Sequence, residues 1–164
     1  MQRAARSWAS GFTLVELLVV MAVMGLLSLA VYPLAEMNVR RERERELKHA
    51  LWEIRDAIDA YKKAVDAGQL PRTAGSGGAG SGYPPTLQAL VQGSAPSPSS
   101  GQPLYFLRRV PRDPFADPAL PAEATWGLRS YASPPDEPRF KDDVYDVYSR
   151  APGVGLNGVP LRDW

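Results

Sequence analysis

The sequence predicts an α+β protein: a long N-terminal α-helix, its first half suited to a membrane or a helix bundle, packed on a small antiparallel sheet domain. Three observations predict it. An apolar run of 21 residues spans Phe12 to Tyr32, broken only by Thr13, Glu16, Gly25 and Ser28. Leu47, Leu51, Ile54, Ile58, Tyr61 and Val65 then recur at spacings of 4, 3, 4, 3 and 4, which is one stripe along an amphipathic helix. Fifteen of the 16 prolines lie after residue 70, and 12 of the 14 glycines from Gly68 onward, so the remainder reads as turns and short strands.

The totals remove several function classes. With 164 residues there is room for one modest domain plus accessories. The absence of cysteine excludes disulfides, thiolate metal sites and a thiol nucleophile. A single histidine, His49, nearly removes multi-histidine metal sites, and a net charge of +1 gives no electrostatic reason to expect nucleic acid.

The apolar run is long enough to span a bilayer, which takes roughly 20 apolar residues. Glu16 weakens insertion, because an acid at a helix centre costs about 2.5–3.5 kcal/mol and less near an end. Its presence therefore needs a reason. One reading is a signal anchor whose Glu16 snorkels at the interface. Another is a cleaved secretory signal, with Arg3 and Arg6 as the basic region and Ser28-Leu29-Ala30 as the cut site. Signal cores run about 7–15 residues and rarely hold an acid, which weighs against the second.

The local order of residues supplies a sharper reading. A short basic leader, "MQRAARSWASG", ends in Gly11; Phe12, a hydroxyl residue, Glu16 and a long apolar helix follow. "GFTLVELLVVMAVMGLLS" resembles the class III leader and N-terminal helix of type IV pilins and pseudopilins. That resemblance implies a pilin-like fold. It implies cleavage between Gly11 and Phe12 by a membrane-embedded prepilin peptidase, which also methylates the new amino group of Phe12. Residues 1–11 would be the leader, 12–33 the transmembrane and filament-core helix, 34–67 its amphipathic continuation, and 68–164 a small periplasmic α+β domain. The chemistry then accounts for Glu16. Cleavage leaves a positive amine on Phe12 at the head of a helix buried in lipid or a filament core, and such a charge needs a partner. Glu16, one turn further on, can neutralise its own amine or a neighbouring subunit's. An intermolecular pair also fixes the axial step, since other registers strand two buried charges. Gly11 adds no side chain where the peptide must lie extended in a protease.

Gly25 and Pro33 are soft points of the helix. Proline removes a backbone hydrogen bond and clashes with the preceding turn, and glycine costs about 1 kcal/mol relative to alanine. The expected consequence is a helix that kinks or partly melts on leaving the bilayer. Orientation is in conflict: Arg3 and Arg6 flank one end, but Arg40, Arg41, Arg43 and Arg45 flank the other. The positive-inside rule alone would place the C-terminal side in the cytoplasm. The pilin-like resemblance implies the reverse: a single-pass inner-membrane protein with its large domain in the periplasm.

Beyond Leu34 the helix becomes charged. Glu44 with Lys48 and Asp59 with Lys63 are spaced as i,i+4 pairs. "RRERERELKH" reads as a solvated face, with an intersubunit charge belt as the alternative, and His49 reads as solvated. One helix over 12–67 would be about 84 Å long at 1.5 Å per residue, and Gly68 is a natural stop. "PRTAGSGGAGSG" is a flexible loop; no strand precedes it and no Lys-Ser/Thr follows, so it is no phosphate loop. Pro85 stands near the start of a short helix presenting Leu87, Leu90 and Val91, and "SAPSPSSGQ" is a second loop. Residues 125–133 and 143–151 read as strands by their aromatic and β-branched alternation.

"GYPPTLQALVQG", "VPRDPFADP" and "YDVYSRAPG" resemble, in that order, landmarks of the major or G-type pseudopilin of type II secretion systems. The resemblance covers most of residues 11–152. It implies a homo-oligomeric helical filament that works with prepilin peptidase, minor pseudopilins, an inner-membrane assembly platform and membrane lipid. It also implies calcium in the loop after the last strand. Calcium wants six to eight oxygens, several of them carboxylates, whereas "SRAPGVGLNGVPLRDW" offers Ser149, Asn157 and one acid, Asp163. The expectation is therefore no cofactor, with "LNGVP" a tight turn fixed by packing and Trp164 plugging an apolar cleft. The long segment between Phe115 and Trp126 is a second departure.

Acid pairs such as Asp142-Asp143 and Asp136-Glu137 could do acid–base work, but they sit in turn-like sequence without a pocket signature, so the expectation is no enzyme. The function implied is a structural pseudopilus subunit of type II secretion. The alternatives are a type IV pilin or minor pseudopilin and, from another class, a signal-anchored periplasmic binding module that never polymerises.

Overall fold

The computed structural model describes residues 11–72, 80–93 and 102–164, with the side chains of 29–35 excepted. Two compact units divide between Arg40 and Arg41. Residues 1–10 of the expected leader, most of the Gly-rich loop and most of the second loop lie outside the described residues.

Helix α1 runs Leu14–Asp66, 53 residues, or about 80 Å at 1.5 Å per residue. The helical assignment is unbroken at Gly25 and Pro33; the Pro33 side chain is among those not described. The helix stops where Gly68 predicts. Gly68 takes φ +71°, its N–H donates to Val65 O at 3.0 Å, and Gln69 N–H donates to Ala64 O at 2.9 Å. That is a Schellman motif, and its left-handed residue favours glycine.

The stripe is the core. Leu47, Leu51, Ile54, Ile58, Tyr61 and Val65 are each no more than 4% exposed. They form one cluster with residues from the rest of the 41–164 unit, among them Leu87, Leu107, Trp126 and Val147. Each such side chain contributes about 1.5–3 kcal/mol by leaving water, so the stripe outweighs the weaker helix propensity of its β-branched members. His49 is exposed, as expected. Among the described residues Asp59 and Lys63 make no ion pair, and an i,i+4 pair on this stretch is Lys62 with Asp66. Glu44 and Lys48 each have a longer-range role: Glu44 accepts from Leu156 N–H at 2.7 Å, and Lys48 Nζ lies 4.5 Å from the centre of the Trp164 ring.

Helix α2, Leu87–Gln92, is capped by Thr86, whose hydroxyl accepts from Ala89 N–H. Leu90 O then accepts from both Phe106 and Leu107 N–H at 3.0 Å. Strands β1, Trp126–Arg129, and β2, Asp146–Ser149, pair antiparallel with Trp126 opposite Ser149 and Arg129 opposite Asp146. Both are shorter than the expected 125–133 and 143–151. After β1, serine hydroxyls take bonds outside the ladder. Ser130 Oγ donates to Asp143 O at 2.9 Å and accepts from Lys141 N–H at 2.7 Å. Ser133 Oγ donates to Glu137 O and accepts from Arg139 N–H.

Two arginines hold the long connections. Arg112 donates to Asp117 O at 2.7 Å and to Leu120 O, folding the extra segment after Phe115 onto the Pro-Arg-Asp-Pro turn. Arg55 donates from α1 to Asp146 Oδ1 at 2.8 Å, Val147 O at 3.1 Å and Trp164 O at 2.8 Å. Arg129 completes the pair of cations on Asp146 at 3.2 Å.

Candidate functional site: the N-terminal processing and assembly segment

The start of α1 is built by Thr13. Its hydroxyl accepts from Glu16 N–H at 3.2 Å, and its carbonyl accepts from Leu17 N–H at 3.2 Å. Thr13 is thus an N-cap, and Thr13-Leu14-Val15-Glu16 has the spacing of a capping box. The sequence reading gave Thr13 no role, although that spacing carried the signal. Glu16 stands in the first turn, where the partial positive charge of the helix end favours an acid.

Gly11 and Phe12 precede the helix in non-helical backbone. Phe12 is 78% exposed, and nothing stands within 4 Å of where a side chain on Gly11 would begin. Behind Phe12 the helix is apolar on every face and covered on none: Leu14, Leu18, Met21, Met24 and Leu26 are all more than half exposed. A helix greasy all round is one that ends up in lipid or among other helices. Among the described residues no helix is long and apolar enough to cross a membrane. The apolar run continues into 29–35, whose side chains lie outside the described residues, so the expected span 12–33 is only partly covered. Ser28 returns its hydroxyl to Met24 O at 2.8 Å, which masks its polarity inside the run.

Of the three weak calcium candidates, Asn157 and Asp163 line one pocket with Lys48, Arg55 and Trp164, and Ser149 is not part of that lining. Ser149 donates to buried Asp113 at 2.5 Å. Asn157 Oδ1 accepts from Val159 N–H at 3.1 Å within its own turn. Asp163 lies 3.7 Å from Arg162. Among the described residues no group of three or more acidic, histidine or cysteine side chains could hold a metal ion.

The acid pairs are tied into turns. Asp143 accepts from Tyr131 N–H at 2.9 Å and from the Ser81 hydroxyl. Glu137 pairs with Arg139 at 2.7 Å on the open surface.

A long N-terminal helix with an acid in its first turn and an uncovered apolar surface, together with a small α+β unit, gives the chain a pilin-like fold. Residues 9–32 match the family described as the prokaryotic N-terminal methylation motif. Type II secretion system core protein G of Aeromonas hydrophila is 30% identical over 111 residues, which is 66% of this chain and 69% of that protein. Its counterpart in Klebsiella pneumoniae is 32% identical over 109 residues, 64% of this chain and 68% of that one. The chain belongs to the type II secretion system core protein G family. No solved structure matches it.

Proposed function

We propose that the chain is a pseudopilin: a structural subunit, not an enzyme, of the pseudopilus of a type II secretion system. The observation that carries this is the methylation motif over residues 9–32, set on an exposed Gly11–Phe12 junction in a member of the core protein G family. Prepilin peptidase cuts after Gly11 and methylates the Phe12 amine. Glu16 then supplies the counter-charge, within the subunit or to its neighbour. A buried cation and anion are tolerated only as a pair, so one register of helix against helix is selected. The uncovered apolar surface of α1 exchanges lipid for the same surface of other subunits. In this reading the protein is anchored in the inner membrane with residues 68–164 in the periplasm. It assembles as a homopolymer with minor pseudopilins on a membrane platform.

Intact mass of the protein extracted from membranes tests the reading. The expected value is the chain without residues 1–11 and with one added methyl group. A full-length mass in cells that hold an active prepilin peptidase would overturn it.

A further inference from the structure

We propose that the C-terminal loop, residues 153–160, is closed by a clasp of protein groups centred on Glu44, and that its closure does not depend on calcium. The loop is a small hairpin. Val154 bridges Pro160, Gly155 N–H donates to Val159 O at 2.8 Å, and Gly158 N–H donates to Gly155 O at 2.9 Å. Leu161 N–H donates to Gly153 O at 3.1 Å. The main-chain oxygens of Gly153, Gly155 and Val159 are therefore already acceptors inside the loop. Asn157 Oδ1 is also committed, to Val159 N–H.

What the loop offers outward is a donor. Leu156 N–H points at Glu44 Oε1, 2.7 Å away, and Glu44 is only 9% exposed on α1. At Leu156 the loop presents an N–H to an acid, where a cation site would turn an oxygen inward. The other jaw is Trp164. Its ring lies on Gly155 so closely that a Cβ there would fall 2.2 Å from Cζ2. The indole N–H donates to Val159 O at 3.3 Å, Lys48 covers the ring, and Arg55 holds Trp164 O at 2.8 Å. Glu44, Lys48 and Arg55 all come from α1, so one helix grips the loop at both ends.

The test uses the full chain in detergent, with calcium chloride as the probe, reading the melting temperature and the exchange of the Leu156 amide. The wild type is expected to melt at the same temperature in chelator and in millimolar calcium, because an ion that binds only the folded state must raise it. Glu44→Leu removes the acceptor; Leu156 should exchange at least about tenfold faster through local opening, and calcium should not restore protection. Glu44→Gln keeps an acceptor oxygen and should keep the amide protected. If Glu44→Leu does not fold, the wild type and Glu44→Gln still decide. An upward shift of several degrees with calcium, abolished by Asp163→Ala, would overturn the proposal, as would loss of protection in Glu44→Gln. These readouts concern the single protomer, so a failure of processing or assembly would count against the pseudopilin reading and leave the clasp standing.

Discussion

Ser149 donates a 2.5 Å hydrogen bond to Asp113, a carboxylate with no exposed surface. The bond joins the Pro-Arg-Asp-Pro turn to the last strand, two stretches 36 residues apart. Asp113 also accepts from Phe115 N–H at 2.8 Å, and Ser149 Oγ accepts from Ala151 N–H at 3.1 Å. Trp126, opposite Ser149 in the sheet, donates to Pro111 O at 2.8 Å on the same turn. Removing the carboxylate leaves buried donors without acceptors, at about 1–3 kcal/mol each. Asp113→Ala should therefore destabilise the domain by about 3 kcal/mol and Ser149→Ala by about half as much, read from denaturant midpoints at unchanged slope.

Processing should depend on the bareness of the residue at the cut. Gly11→Ala should be processed poorly and Gly11→Val hardly at all, leaving a precursor with its leader in the membrane fraction. Normal maturation of Gly11→Val on immunoblots would refute cleavage after Gly11.

Glu16 should matter to assembly and not to insertion. Glu16→Ala removes a costly charge from an apolar segment, so membrane targeting and leader removal should persist while filaments fail to form. Glu16→Gln keeps the shape and loses the charge, so it should fail in the same way. Wild-type filament yield from either variant, scored by electron microscopy of sheared material, would end the charge-pairing argument.

Thr13→Ala separates a helix cap from a recognition residue. Loss of the hydroxyl that accepts from Glu16 N–H should weaken the first turn by about 1 kcal/mol. The expected result is slower exchange into filaments with normal cleavage. Thr13→Ser should behave as wild type in both assays.

Tyr83 gives the domain a pH dependence. Burial pushes its hydroxyl above the ordinary value of 10.0, and the nearby Tyr145, Asp59, Tyr131 and Asp66 act in the same direction. The folded state therefore holds the proton more tightly than the unfolded chain. The contribution is fully present below pH 10 and is lost as pH rises through the higher folded value. Melting temperature should fall in that alkaline window, and Tyr83→Phe should fall less steeply.

How much of this was legible follows from which forces are local. The stripe from Leu47 to Val65, the Gly68 stop and the short helix after Pro85 were readable because periodicity and caps act within a few residues. The strands were read too long because alternation in "SYAS" does not reveal that the Ser130 and Ser133 hydroxyls would close turns on residues four to thirteen positions away. The i,i+4 spacing named partners for Glu44 and Asp59, but it could not show what tertiary structure would offer instead. Glu44 meets a loop 112 residues later and Arg55 a strand 91 residues later, and nothing local in the sequence encodes either meeting. Gly11, Phe12 and Glu16 fall inside the methylation motif over residues 9–32, a signal carried by local order and independent of tertiary structure.

The grip of α1 on the loop sets where a soluble fragment can begin. A two-stranded sheet of four-residue strands is marginal alone, so the domain owes its persistence to the helix running beneath it. A cut at Arg41 sheds the apolar segment and coincides with the start of the second compact unit. A cut at His49, attractive because the stripe still looks largely intact, discards Glu44, Leu47 and Lys48 together. The shorter fragment would lose the side chains that hold the C-terminal loop, and its C-terminal residues would be the first digested by a protease.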